Sequence, residues 1–383
     1  MSRIFLTTLS LLLLLLAPYA AGEGYKFKDS QFHNLFPFLG RDEDSNTELT
    51  GDSPEDKKQF NDRTPYSLPK NAVQSTSKMG QGFYDQTCPD VEKIVSKTFA
   101  QILKDNPGAI AHVIRLQFHD CFVNGCDASI LLDYTPSGDN VEKSSSFNGL
   151  LLKGADLIDD IKAKVEEKCP GIVSCADIMA FSTYEAMAMA GLPRQRAVGG
   201  RKDSIISLAS IVESNNLPLP DWTIDQMMEL FGRKGFNIEE MVVLLGAHSV
   251  GMAHCDFFMQ RAFNFNGTGK PDPVLPKDVV NELQKACPNG GTALFRNPPV
   301  AFDTTPTVLD NLFFQEMVQK KRTLLLSDSH LYEDPRTKPI VEQMANDHTL
   351  FPKRFPEVMY KLTSLNVLKG TEGEIRKICR STN

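Results

Sequence analysis

Arg115 and His119 stand four residues apart in the stretch Arg115-Leu-Gln-Phe-His-Asp-Cys-Phe-Val-Asn-Gly-Cys-Asp-Ala-Ser129. The apolar run Ile110–Ile114 ahead of them contains neither Gly nor Pro. The spacing therefore predicts a helix running to about His119, with Arg115, Phe118 and His119 on one face. A fixed cation and an imidazole would then point into one space, where they could act as an acid/base pair. Asp120, Asp127 and Ser129 follow at once, enclosed by Cys121 and Cys126, and Gly125 permits a tight turn between the cysteines. Hard oxygen donors at this spacing suit Ca2+, which takes carboxylates, hydroxyls and backbone carbonyls together. Each feature alone has a plainer account, as a hydrogen-bonded structural His near a helix end or as an Asp–Gly turn. Their combination is harder to dismiss, because a buried Arg and His need a reason to share a face.

His248 is the second histidine of interest. It closes the apolar segment Glu240-Met-Val-Val-Leu-Leu-Gly-Ala-His248 and precedes Ser249-Val-Gly-Met-Ala-His-Cys255. A neutral imidazole at a helix end beside Gly246 and Ala247 is suited to ligating a large planar group, since small neighbours leave room. A zinc site with His254 and Cys255 is a different reading. It is weakened by a spacing that puts His254 on the far side of a helix. A plain structural histidine is the third.

The elements that must position these residues read as helices. Helical periodicity covers Val91 to Lys104, Ala109 to His119, Ala155 to Lys168, Ser174 to Ala190, Ile224 to Lys234 and Ile238 to Ala247. It resumes over Asp278 to Ala286, Asp310 to Lys320, Lys338 to Asp347 and Arg354 to Leu365. Strand-like alternation is confined to a short hairpin-like passage around Ala197 to Asp203. No fixed-period repeat occurs, so a solenoid is not expected. The expectation is a mainly α protein of two helical lobes with minor short β-hairpins.

The chain of 383 residues, 41% hydrophobic, can bury a sizeable core, and its net charge of -7 without basic clusters excludes a general nucleic-acid binder. Residues 1–22 carry Arg3, the leucine run Leu11 to Leu16 and then small residues, which reads as a secretory signal peptide rather than a membrane span of about 20 apolar residues. Residues 23–78 are polar and aperiodic, a disordered or propeptide-like segment. The folded domain is expected over 79–383. Eight cysteines in an exported chain imply four disulfides, although roughly a hundred pairings are open on spacing alone. Free buried thiols would require the export signal to be misread.

A series of motifs resembles the plant secretory haem peroxidases, class III of the plant-type peroxidase superfamily, over about Gly82 to Asn383. They are Phe83-Tyr-Asp-Gln-Thr-Cys-Pro89, Arg115 to Leu132, Val173-Ser-Cys-Ala-Asp177, Gly200-Arg-Lys-Asp203, Asn216-Leu-Pro-Leu-Pro220 and Gly246-Ala-His-Ser-Val-Gly251. Thr305-Pro306, Asp310-Asn311, Leu326-Ser-Asp328 and Gly373 to Cys379 complete the series.

The resemblance implies a haem-peroxidase fold with one haem b between the lobes and two Ca2+ ions. It implies His119 as proton acceptor, Arg115 as transition-state stabiliser, Asn148 as the amide that holds His119 in its basic tautomer, and Phe118 as a wall of the pocket. His248 would be the axial iron ligand and Asp328 the carboxylate that accepts its other N–H. One Ca2+ would take Asp120, Asp127 and Ser129 with the Val123 and Gly125 carbonyls, Glu142 belonging to the same set. The other would take Ser249, Asp303, Thr305, Val308 and Asp310. Ser249 replaces the family's usual Thr, Leu245 replaces a usual Ser, and Asp303 lies one residue nearer Thr305 than usual. Pro218 would line the approach of aromatic donors. The implied disulfides are Cys88–Cys169, Cys121–Cys126, Cys175–Cys379 and Cys255–Cys287. Asn266-Gly-Thr268 is a glycosylation sequon.

The function expected is reduction of H2O2 to water with one-electron oxidation of phenolic or other small aromatic donors, by a secreted monomer of the cell wall or vacuole. The rival expectations are a peroxidase-fold protein with an extracellular structural or binding role, and a zinc hydrolase built on His248, His254 and His119.

Overall fold

The computed structural model describes residues 79–148, 152–287 and 297–383. All described residues belong to one compact unit within Asp62–Asn383. The expectations for 1–22 and 23–78 fall outside the described residues.

Thirteen α-helices occur among the described residues. The first four are α1 (Val91–Asp105), α2 (Ala109–Val123), α3 (Ala155–Glu166) and α4 (Cys175–Met189). Then come α5 (Ala209–Glu213), α6 (Ile224–Arg233), α7 (Ile238–Leu245), α8 (Met259–Phe263) and α9 (Lys277–Ala286). The last four are α10 (Leu312–Lys320), α11 (Leu326–Glu333), α12 (Lys338–Asn346) and α13 (Leu350–Leu362). No described helix is long and apolar enough to cross a membrane.

Apolar spacing accounts for the clearest of these. In α1, Val91, Val95, Phe99 and Leu103 recur every fourth residue and are buried as one stripe. Helices α2 and α4 pack on each other and are buried on nearly every face, so they form the centre of the fold. Caps fix the starts of two helices near the site. Thr223 and Gln226 form a capping box on α6, and Asn237 and Glu240 form one on α7.

The strand content is small, as expected. Strand β1 (Gly80–Gln81) pairs antiparallel with β2 (Val198–Gly199), and β3 (Met252–His254) pairs with β4 (Pro299–Ala301). The passage 197–203 is not a local hairpin: β2 finds its partner more than a hundred residues upstream, while Lys202 and Asp203 bridge to Leu368 and Glu374.

Two sequence motifs remote from any chemistry explain how the helices are locked together. The Asp177 carboxylate accepts from the Tyr84 hydroxyl at 2.7 Å, the Gly200 amide at 2.6 Å and the Arg201 guanidinium at 2.8 Å, all buried. Asp203 accepts from the Cys175 and Ala176 amides at 3.0 and 2.8 Å, at the start of α4, and from the Arg376 amide at 2.9 Å. Disulfides join Cys88–Cys169, Cys121–Cys126, Cys175–Cys379 and Cys255–Cys287, which are the four implied pairs, and no free cysteine occurs among the described residues. Three of them close loops of 32 to 204 residues, each of which stabilises the fold by roughly 3 to 5 kcal/mol on a chain-entropy account.

Candidate active site

Helix α2 continues one turn past His119 to Val123, so Asp120 and Val123 leave its last turn and not a loop. The buried Phe122 holds that turn in the core, stacked on Phe118 at 4.1 Å and on Phe236 at 5.8 Å between ring centroids. The turn beyond needs Gly125: its φ is +141°, and a Cβ there would lie 2.6 Å from the Asn366 carbonyl oxygen.

The face of α2 presents Arg115 and His119 as the spacing predicts. His119 is buried, and its Nδ1 lies 2.7 Å from Asn148 Oδ1. Asn148 in turn donates from Nδ2 to the Glu142 carbonyl at 2.7 Å, so its amide is oriented at both ends. With Oδ1 as acceptor, His119 carries its proton on Nδ1 and leaves Nε2 free as a base. Burial first, and then the positive charge of Arg115, lower the His119 pKa to about 3. Arg115 exposes surface, yet enough protein surrounds it for desolvation to lower its own pKa. A side chain facing an inner hollow has both properties. Phe118 lies edge-on to His119 with ring centroids 6.1 Å apart.

His248 occupies a 3-10 turn, Gly246–Ser249, that continues directly from α7. Its Nδ1 lies 3.0 Å from Asp328 Oδ1, and Asp328 is fully buried in the first turn of α11. The imidazole keeps 28% of its side-chain surface exposed while Asp328 keeps none. Phe302 lies flat against the imidazole at 4.3 Å and 3°, and Phe313 closes in edge-on at 5.8 Å. Arg261 fixes the approach to α11 by donating to the Thr323, Leu324 and Leu325 carbonyls and pairing with Asp272 at 2.9 Å. The two sides of the site touch where Gly251, at φ +106°, meets Ala111 of α2: a Cβ on Gly251 would lie 3.0 Å from the Ala111 methyl. Pro218 lies in a segment tied to α11, since the Ser327 amide donates to the Pro220 carbonyl at 2.9 Å and His330 Nδ1 lies 2.8 Å from the Trp222 carbonyl.

These donors fit a haem. The Nδ1 of His248 is committed to Asp328, which fixes the tautomer, leaves Nε2 open to ligate a metal and would raise its basicity as a ligand. The zinc reading does not survive: Cys255 is bonded to Cys287, and His119, His248 and His254 are not gathered into a metal-holding group among the described residues.

The side-chain members of both expected calcium sets are brought together. Asp120, Asp127 and Glu142 are buried. Burial raises the Asp120 pKa, as do the like charges of Asp127 and Glu142; burial likewise raises Asp127 and lifts Glu142 to about 8. The Ser129 hydroxyl and both Glu142 carboxylate oxygens are buried with no hydrogen-bond partner. Such orphaned oxygens fit a cation. The Val123 carbonyl accepts from Lys234 Nζ at 3.0 Å, and the Gly125 carbonyl from the Asp127 amide at 3.0 Å. In the second set, Ser249 Oγ donates to the Val308 carbonyl at 3.0 Å and receives the Asp310 amide at 3.2 Å. Thr305 Oγ1 lies 3.2 Å from Asp303 Oδ1 and 3.0 Å from Asp310 Oδ2. Asp303 Oδ2 is an orphan, and burial raises Asp303 to about 7. No three His, Cys, Asp or Glu side chains among the described residues form a metal cage by themselves, so either ion would depend on hydroxyl and carbonyl oxygens as well.

Phe302, Phe313 and Arg261 are the residues supporting His248 and α11 that sequence reasoning missed. A lone aromatic ahead of Asp303 and an Arg in a short helix carry no periodic signal. Asn266 is exposed in a left-handed turn at φ 51°.

Comparison with known proteins places the geometry in context. The peroxidase family profile matches residues 95–347. The chain is 40% identical to Peroxidase 37 of Arabidopsis thaliana over 314 residues, covering 81% of this chain and 89% of that protein. It is 38% identical to Peroxidase C2 of Armoracia rusticana, covering 82% and 90% of the two chains, and 38% identical to Peroxidase 5 of Vitis vinifera, covering 82% and 94%.

Proposed function

We propose, for a chain that belongs to the class III plant peroxidases and is a haem peroxidase acting on H2O2, a division of labour among five residues. The observation that carries it is the hydrogen bond between His119 Nδ1 and Asn148 Oδ1 at 2.7 Å, which leaves Nε2 unprotonated. From that nitrogen His119 takes a proton from H2O2 and returns it to the departing oxygen. Arg115 donates to the negative charge that develops as the O–O bond breaks, a task for a cation that never deprotonates. Asn148 holds the imidazole in the tautomer that can do this. His248 would supply the axial nitrogen and Asp328 keeps its Nδ1–H in place. The haem, when bound, supplies the two-electron reduction of peroxide and is restored by two one-electron oxidations of a donor.

In this reading the cofactor is a single haem b, and Ca2+ fills both orphan-oxygen clusters, the one around Glu142 and Ser129 and the one around Asp303. The donors are small phenols that approach past Pro218. The protein is secreted to the wall or vacuole, supported by the leucine-rich stretch in 1–22 and the four disulfides, with 23–78 removed or left as an appendage. In the same reading the protein acts as a monomer, and the exposed Asn266 carries a glycan.

The test is direct. Purified chain loaded with haem and Ca2+ shows a Soret band and oxidises guaiacol only when peroxide is added. His119→Ala lowers the peroxide reaction by about 10²- to 10⁴-fold. Full activity in that variant removes the role assigned to His119, and no haem uptake by wild type favours the binding-protein alternative.

A further inference from the structure

A cavity of about 270 Å³ lies between the end of α10, α11 and the start of α12, and Thr323, which Arg261 holds, is part of its lining. Met317 and Ser329 line it and are buried, Tyr332 is partly exposed, and Lys321, Glu333 and Lys338 are exposed at its edge. We propose that this cavity binds a small aromatic carboxylate bearing a ring hydroxyl, at a site separate from the haem.

The argument begins with the backbone. Lys321 caps α10 in the left-handed conformation at φ 50°, a position that glycine takes without strain and other residues take at a cost. The next residue, Arg322, is locked in place: it donates to Glu282 at 2.8 Å and to the Phe302 and Ala301 carbonyls at 2.5 and 3.0 Å. The base of the Lys321 side chain is therefore held at the cavity edge, with no freedom to swing the backbone away. A second lysine lines the same cavity. Lys338 Nζ lies 5.0 Å from the centre of the Tyr332 ring, which keeps an ammonium and an aromatic wall together.

An ammonium over an aromatic ring, with a second lysine and a methionine in the same lining, suits an anion attached to a flat apolar body. Inorganic phosphate or sulfate would use the lysines and leave Tyr332 and Met317 without a partner. Glu333 is the one anion of the lining. Its Oε1 accepts from Ser329 Oγ at 2.8 Å, so the pair offers an acceptor and a hydroxyl to a phenolic O–H. The volume limits the occupant to about one substituted ring, since pockets for drug-sized ligands start near 300 Å³. Ser329 follows Asp328 in α11, so an occupant reaches the helix that holds His248.

The test uses the full chain with haem and Ca2+ and the probe 4-hydroxycinnamate. Equilibrium dialysis counts all bound probe, while the Soret difference spectrum counts only probe near the haem. The expected result is one molecule per chain that leaves the Soret band unchanged, lost in the double variant Lys321→Gln, Lys338→Gln. An unaltered Soret band in that variant shows that it is folded and loaded. The proposal is overturned if wild type binds no Soret-silent molecule, or if the variant binds it equally well. Either result leaves the peroxidase reading untouched.

Discussion

His119 Nδ1 and Asn148 Oδ1 meet at 2.7 Å, and the other end of the Asn148 amide is held by the Glu142 carbonyl, six residues earlier in the chain. The base is thus aimed through a backbone segment that also supplies the orphaned Glu142 carboxylate. Asn148→Ala removes the acceptor and lets His119 adopt either tautomer. The rate of reaction with peroxide, measured by stopped flow, is expected to fall about 10- to 100-fold, as for other partners that orient a catalytic group. Haem content should be unchanged. An unaltered rate would mean that the tautomer is fixed by something other than Asn148.

The pH profile follows from the same pocket. Burial first, then the charge of Arg115, lowers the His119 pKa from 6.5 to about 3. His119 acts as a base only when neutral, so the peroxide rate is flat from neutral pH down to about 4 and declines below that. Arg115→Leu removes the charge that disfavours the imidazolium, so the inflection moves up towards 6.5 while the plateau falls about 10²- to 10³-fold. Rapid pH-jump kinetics separate the two effects. An inflection at the same pH in wild type and variant would show that the two side chains do not share a space.

The distal half of this site was legible in the sequence because both of its chemical groups lie on one helix, where a spacing of four fixes their relation. Helix α11 was not legible. Leu326-Ser-Asp-Ser-His-Leu-Tyr-Glu333 has no apolar period, and its position depends on Arg261 gripping the preceding carbonyls from 62 or more residues away. Phe302 was hidden for a similar reason, since its stacking on His248 arises from strand pairing between β3 and β4. The end of α2 was read one turn short because Asp120 and the Gly125 turn resemble a loop, whereas the burial of Phe122 extends the helix.

Asp328 gives a prediction on the other side. Its carboxylate, fully buried, holds His248 Nδ1 at 3.0 Å and makes the imidazole a stronger electron donor. Asp328→Asn keeps the shape and removes the charge. Haem retention or turnover is expected to drop about 10- to 100-fold, and the iron reduction potential to rise. Spectroelectrochemistry reads the second effect, and a potential that stays put or falls would contradict the role given to Asp328.

Calcium removal should make stability depend on pH in a defined direction. Without a cation, Glu142 titrates at about 8 in the folded chain against 4.5 as its ordinary value, chiefly because it is buried, and Asp120 and Asp127 shift the same way. The folded state then holds more protons than the unfolded state between those two values, so stability is lost as pH rises through the window. Chelator-stripped protein is expected to melt several degrees lower at pH 8 than at pH 5, and added Ca2+ should abolish the difference. Equal melting temperatures in the stripped protein, or a higher one at pH 8, would rule out this account of the cluster.

The Arg201–Asp177 pair provides a stability prediction that does not involve the site. Both side chains are fully buried at 2.8 Å, and Asp177 also receives the Tyr84 hydroxyl and the Gly200 amide, while Arg201 Nε donates to the Thr363 carbonyl at 2.8 Å. The pair therefore connects α4, the segment after β2 and the end of α13. Arg201→Leu leaves a buried carboxylate without its cation, which costs about 3 to 5 kcal/mol. Replacing both members by apolar residues removes the unpaired charge, so Arg201→Leu with Asp177→Leu should recover part of that loss despite the orphaned Tyr84 hydroxyl. Denaturant melts of the two variants decide the matter: a double variant no more stable than the single one would show that the Asp177 hydrogen bonds to Tyr84 and Gly200, and not the charge pair, hold this junction.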